Sequence, residues 1–172
     1  MRKMMMFAIA IFCVAWATLV TPVSAHASVL GETQITFERA IGIAIGRTGG
    51  GILKEIEWKR GRRGPVYEAE MYHNGQKHEI TINAVTGEIT RHKSKRSKSH
   101  QALIGLTDSE VTSVRAIQLA EAAIARIGGG TVREIIWEYK YGMLVCEVEV
   151  NNNGRKYEIK FNAATGEIIE ID

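Results

Sequence analysis

Apolar and polar positions change period twice along this chain, and then the whole pattern recurs. Phe37, Ile41, Ala44, Ile45 and Thr48 recur at helical spacing, and Gly49-Gly50-Gly51 ends that run. The period then becomes two: Ile56 and Trp58 alternate with Glu55 and Glu57, and Tyr67, Ala69 and Met71 alternate with Glu68 and Glu70. Asn74-Gly75 supplies a two-residue hairpin turn, after which His78, Ile80 and Ile82 alternate with Lys77, Glu79 and Thr81. The second passage begins with Thr107-Asp108-Ser109-Glu110, a capping-box sequence, and Val111, Val114, Ile117, Ala120, Ile124 and Ile127 follow at helical spacing up to Gly128-Gly129-Gly130. Ile135, Trp137 and Tyr139, then Cys146, Val148 and Val150, then Tyr157, Ile159 and Phe161 are its inward strand positions, with Asn153-Gly154 at the turn.

Residues 49–89 and 128–168 align without a gap at an offset of 79, and 20 of the 41 positions are identical. An internal repeat of this length marks a duplicated structural unit. In each unit one strand face is apolar and the other charged, the signature of an antiparallel sheet covered on one side, with the helix as its cover. The fold class expected is α+β: two repeated modules, each one helix packed on a three- to four-stranded antiparallel sheet. Gly42 and Gly46 make the first helix the weaker, at about 1 kcal/mol each relative to alanine.

The chain divides into four parts. Residues 1–27 read as a secretory signal peptide: Arg2 and Lys3, an apolar run from Met4 to Val20, Pro22, and Ala25-x-Ala27 as the cleavage site, with Val23-x-Ala25 as second choice. Residues 28–90 are the first repeat, 91–106 a basic linker and 107–172 the second repeat. Removing the leader discards two of 22 basic residues and Cys13, and leaves 20 bases against 19 acids. Cys146 is then the only thiol, so export provides no intramolecular disulfide. The linker run Arg91-His92-Lys93-Ser94-Lys95-Arg96-Ser97-Lys98-Ser99-His100 reads as solvated chain, with weak contact to an anionic envelope surface as the alternative. Without interleaved aromatics, and in an exported protein, it does not read as a nucleic-acid site.

Candidate chemistry is sparse. Glu68/Glu70 and Glu147/Glu149 are paired carboxylates of the kind acid–base enzymes use, but they read as cross-strand partners of Lys77, Lys156 and Lys160. His73 and His78 read as turn and sheet residues, His92 and His100 as isolated imidazoles, Cys146 as a small hydrophobe, and Trp58 and Trp137 as core anchors. The triple glycines follow a helix and lack a Lys-Ser/Thr ending, so they are not a phosphate loop. No catalytic, cofactor-binding or metal-ligating residue is assigned, and no cofactor is expected.

The segment Asn83-Ala84-Val85-Thr86-Gly87-Glu88-Ile89, its copy Asn162-Ala163-Ala164-Thr165-Gly166-Glu167-Ile168, the glycine-ended helix and the preceding strands together resemble the PepSY domain over about 34–91 and 111–170. That family usually has Asp where Asn83 and Asn162 stand; asparagine still caps the turn, but a role needing negative charge there is lost. The resemblance implies inhibition or regulation of secreted peptidases; with the leader at 1–27 and no catalytic constellation, the chain reads as an exported, non-catalytic module, periplasmic or extracellular, with a polypeptide partner of which a secreted peptidase is the candidate. An envelope scaffold or sensory module with no peptidase partner is the alternative.

Overall fold

The computed structural model describes residues 34–97 and 109–172. The predicted signal peptide, the start of the capping box at Thr107, and residues 98–106 of the predicted linker lie outside them. Helix α1 spans Phe37–Thr48 and is followed by strands β1 (Ile52–Gly61), β2 (Gly64–His73), β3 (Gln76–Asn83) and β4 (Ile89–Arg96). Helix α2 spans Ser109–Ile127 and precedes β5 (Thr131–Lys140), β6 (Met143–Asn152), β7 (Arg155–Asn162) and β8 (Ile168–Ile171).

Local chemistry accounts for the boundaries. Thr36 Oγ1 accepts from Arg39 N at 3.1 Å and starts α1. Asn74 and Gly75 have φ of 49° and 71°, and Asn153 and Gly154 52° and 78°, which matches the right-handed twist of the hairpins they join. Asn83 Oδ1 accepts from Val85 N at 2.8 Å and Thr86 N at 3.0 Å, and Asn162 Oδ1 does the same for Ala164 and Thr165.

The glycine after each helix has a steric reason. At Gly51 (φ +110°) a Cβ would lie 2.5 Å from Tyr72 O, and at Gly130 (φ +117°) 2.7 Å from Asn151 O. Backbone cannot give way there as a side-chain end can. Gly130→Ala is expected to cost about 1–3 kcal/mol, whereas Gly128→Ala, with open space around the new methyl, loses only its left-handed backbone preference. Urea unfolding of the two variants checks the ranking.

A three- to four-stranded sheet was expected in each repeat, with the placement of the two repeats left open; each repeat supplies four strands, and the eight form one sheet. Its order is β4-β3-β2-β1-β5-β6-β7-β8, antiparallel throughout. The join is β1 to β5, with Ile56 opposite Ile135, Glu55 opposite Ile136 and Glu57 opposite Glu134. Ile56 and Ile135 occupy the same position of their repeats, so a pseudo-twofold axis passes between them. Each module thereby covers an edge strand that would otherwise be exposed. Bulges at Leu53/Glu55 and Val132/Glu134 confine the join to three residue pairs. The bulged Lys54 turns its ammonium onto Trp137 O, while its counterpart Arg133 lies 3.9 Å from the centre of the Trp58 ring. Both cations thus cross the axis.

One core runs under both helices. α1 packs on β1, β2 and β3, and α2 packs on β5, β6 and β7, but also on β1 and on α1. The buried residues include Ile41, Leu53, Ile56, Met71, Ile80, Ile82, Ile135, Trp137, Val148, Ile159 and Phe161. Along α2 the buried stripe is Ser113, Ala116, Leu119, Ala120 and Ala123, so the helix is rotated from the expected stripe and leaves Val114 exposed. Small side chains on that stripe let the helix lie close to the sheet.

A second correction concerns the basic linker. Arg91 to Arg96 belong to β4, which pairs with β3 from Gln76↔Arg96 to Ile82↔Ile89, so the first unit extends beyond residue 90. An edge strand needs backbone partners on one side only, and Lys and Arg side chains there face water. Tyr139, expected inward, is exposed at the hairpin end, where its hydroxyl donates to Gly142 O at 2.8 Å.

Candidate interaction site

The helices cover one face of the sheet, and the other face is built of glutamates and lysines. Lys59 pairs with Glu57 and Glu68 at 2.7 and 3.0 Å, Lys77 with Glu70, Lys140 with Glu138 and Glu147 at 2.5 and 3.4 Å, and Lys156 with Glu149 and Glu158 at 2.9 and 2.7 Å. The four glutamates that invited an acid–base reading are therefore each held by a lysine. Lys160 turns instead to Glu170 and Asp172, at 2.6 and 2.9 Å. These pairs fix side-chain positions more than they stabilise, since exposed ion pairs contribute about 0–1 kcal/mol.

The pseudo-twofold axis concentrates acid that the repeat alone does not reveal. Glu55, Glu57 and Glu134 present carboxylate oxygens within 4.8 Å of one another. Glu134 stands between two glutamates, opposite Glu57 on β1 and Glu149 on β6. Among the described residues, neither Glu55 nor Glu134 has an ion-pair partner. Burial first, then Glu55, Glu57, Glu149 and Glu147, push the Glu134 carboxyl up to about 7, and Glu55 is raised by burial and Glu70. The three carboxylates are the donors a hard cation takes, though such ions take six or more oxygens. Ile136 stands where a fourth glutamate, the counterpart of Glu57, would complete the symmetric set.

The raised Glu134 has a sign that can be checked. The folded chain keeps a proton that the unfolded chain releases near 4.5. Its contribution to stability is therefore full below about 4.5 and is lost as pH rises through about 7. Because the group is partly solvated, the loss is discounted to about 1 kcal/mol. Glu134→Gln should raise stability at pH 8 by that amount and flatten the decline between pH 5 and 8, measured by urea unfolding at both. An unchanged decline would contradict the assignment.

The two ends of the sheet differ sharply. At the β4 end, Arg47 Nε donates to His92 Nδ1 at 3.0 Å, and His92 Nε2 lies 3.1 Å from His78 Nδ1. Burial, Arg47 and His78 all lower the His92 pKa, so this imidazole stays neutral at the pH where a free one begins to charge. Two histidines assigned separate, ordinary places in the sequence thus meet across β3 and β4. A neighbouring guanidinium that donates to the same ring opposes cation binding there. Arg91, Lys93, Lys95 and Arg96 make the rest of this edge basic and exposed. At the β8 end, Ile168, Ile169 and Ile171 are 40%, 40% and 37% exposed, beside Glu170 and Asp172.

Cys146 and the tryptophans belong to the interior. Burial pushes the Cys146 thiol well above its ordinary range, which removes the thiolate a nucleophile needs. Trp137 is fully buried and, among the described residues, its Nε1 has no hydrogen-bond partner. Trp58 is only half-buried, and its Nε1 donates to Gln34 Oε1 at 2.9 Å. The difference follows from the residue opposite each indole: Tyr67 faces Trp58, whereas the smaller Cys146 faces Trp137 and leaves room for it. Among the described residues, no helix is long and apolar enough to cross a membrane.

Comparison with known proteins agrees with this architecture. A crystal structure of a candidate lipoprotein from Clostridium difficile 630 superposes with a TM-score of 0.50 at 16% identity, covering 82% of this chain and 94% of the other, a likeness of fold. No curated protein sequence matches. The PepSY profile, described as "Peptidase propeptide and YPEB domain", matches twice, over residues 34–93 and 110–172. The first match runs from before α1 into β4 and the second from the start of α2 to the end of β8, one on each helix-and-four-strand unit, and the chain belongs to the PepSY family.

Proposed function

We propose that this chain is an exported, non-catalytic binding protein that holds an extended segment of a polypeptide partner, with a secreted peptidase as the partner class. The observation that carries this reading is a broad antiparallel sheet whose end strands, among the described residues, each pair on one side only, and whose charged face is left uncovered by its helices. Free edges accept extended peptides through main-chain hydrogen bonds, and flanking side chains select among them. The family description names peptidase propeptides, which supports the partner class. Export is supported by the basic, apolar and Ala-x-Ala sequence at 1–27 and by the lipoprotein description of the structural neighbour. A non-catalytic role is supported by the interior position of Cys146 and by the lysine pairing of Glu68, Glu70, Glu147 and Glu149. The test is a titration of secreted endopeptidases with the mature chain, together with cross-linking in the envelope. Saturable inhibition or a cross-linked polypeptide is expected. Neither inhibition nor any cross-linked polypeptide would overturn the reading.

A further inference from the structure

The two sheet edges are corresponding strands of the repeat, and beyond Ile89 and Ile168 none of their aligned residues is identical. At the offset that keeps 20 of 41 preceding positions identical, Thr90, Arg91, His92 and Lys93 become Ile169, Glu170, Ile171 and Asp172. Base is replaced by acid twice, and an imidazole tied to Arg47 by an aliphatic side chain. β4 carries the lysine and arginine side chains that blunt an edge against further pairing; β8 has no Lys, Arg or Pro.

The ladder fixes what β8 offers. Asp172 and Glu158 exchange both main-chain bonds, at 2.9 and 3.0 Å, so the next pair along, Ile171 and Ile159, is the non-bonded type. The N–H and C=O of Ile171 therefore point away from β7, towards the open edge. Ile168 and Ile171 lie opposite Phe161 and Ile159, on the helix side of the sheet. Glu170 lies opposite Lys160 and, with Asp172, takes the open-face side, where one ammonium serves two carboxylates and leaves net negative charge.

We infer that β8 is the strand-accepting edge, and that its occupant is an extended segment of a partner polypeptide carrying basic side chains on the open-face side and apolar ones on the helix side. The inference rests on the binding role proposed above and adds the edge and the partner's chemistry. Pairing of β8 with a second β8 would set acids against acids, which disfavours a symmetric dimer at this edge.

The probe is a ten-residue peptide alternating lysine and valine, titrated into the mature chain. Its controls are a glutamate–valine counterpart and a lysine–valine peptide methylated on alternate backbone nitrogens. Binding of the first, at least tenfold weaker binding of both controls, and at least tenfold weakening by Ile171→Pro are expected, with His92→Pro on β4 without effect. Should either proline variant fail to fold, the methylated peptide and Glu170→Lys decide, since neither depends on proline being tolerated. Equal binding of the acidic peptide, or loss through β4 instead, overturns the inference. A photo-cross-linker at Ile169, compared with one at Thr90 in the envelope, separates the two levels. A heterologous polypeptide captured from Ile169 and displaced by the lysine–valine peptide supports β8. Capture only from Thr90 or the open face sinks β8 but leaves the binding role standing, capture of nothing removes both, and capture of a second copy from Ile169 replaces the partner with self-association.

Discussion

Trp137→Ala is expected to destabilise the whole chain by about 3–5 kcal/mol, the range for emptying a fully buried indole site. Trp137 is the largest fully buried side chain among the described residues. It sits opposite Cys146 on β6, and its carbonyl takes the Lys54 ammonium from the other repeat. A cavity there therefore lies beside the join between the repeats, and both should lose stability together. Trp58→Ala should cost clearly less, because Trp58 is half-buried and part of what it loses is an Arg133 stack and a hydrogen bond to Gln34 near the surface. Denaturant unfolding of both variants checks the difference; equal losses would mean that the repeats are energetically alike despite the Tyr67/Cys146 exchange.

Ile135→Pro is expected to cost about 1–3 kcal/mol for the buried backbone acceptor it leaves without a donor, with the strain of the ring in a central strand added to that. Alternation from the Ala163 N to Leu144 O bond at 3.0 Å places Ile159 against Val148 as a bonded pair, which turns Ile135 towards β1. Its N–H then bonds to Ile56 at the pseudo-twofold axis, and proline removes that donor in the centre of the sheet. Ile171→Pro makes the same chemical change where the N–H faces solvent, so it should be far milder. If β5 were instead the free edge of an independent module, the two prolines would be tolerated alike. Calorimetry of the pair gives the comparison, with Ile135→Val as the control for volume.

What the sequence made legible was local. The Asn-Gly turns, the Asn83 and Asn162 turns, the glycine helix ends and the inward positions from Tyr67 to Ile82 depend on neighbours a few residues away, and the duplication states each twice. The β1–β5 join was not legible, because Ile56 and Ile135 are 79 positions apart and either strand reads equally well as an edge. The same gap hid the meeting of Glu55, Glu57 and Glu134, which exists only in that register. β4 was misread for a different reason: Arg91, Lys93 and Lys95 have the composition of a solvated linker, and an edge strand that must avoid further pairing has it too. His78 and His92 meet only once β4 is a strand.

Amide hydrogen exchange on the intact mature chain, read at β1 and β5, tests the joining of the repeats most directly. Slow exchange at Ile56 and Ile135, comparable with β2 and β6, is the result a continuous eight-stranded sheet requires. Fast exchange of the outward-facing amides of β1 and β5, with β2 and β6 still protected, would mean two modules side by side and would contradict the structure's central join.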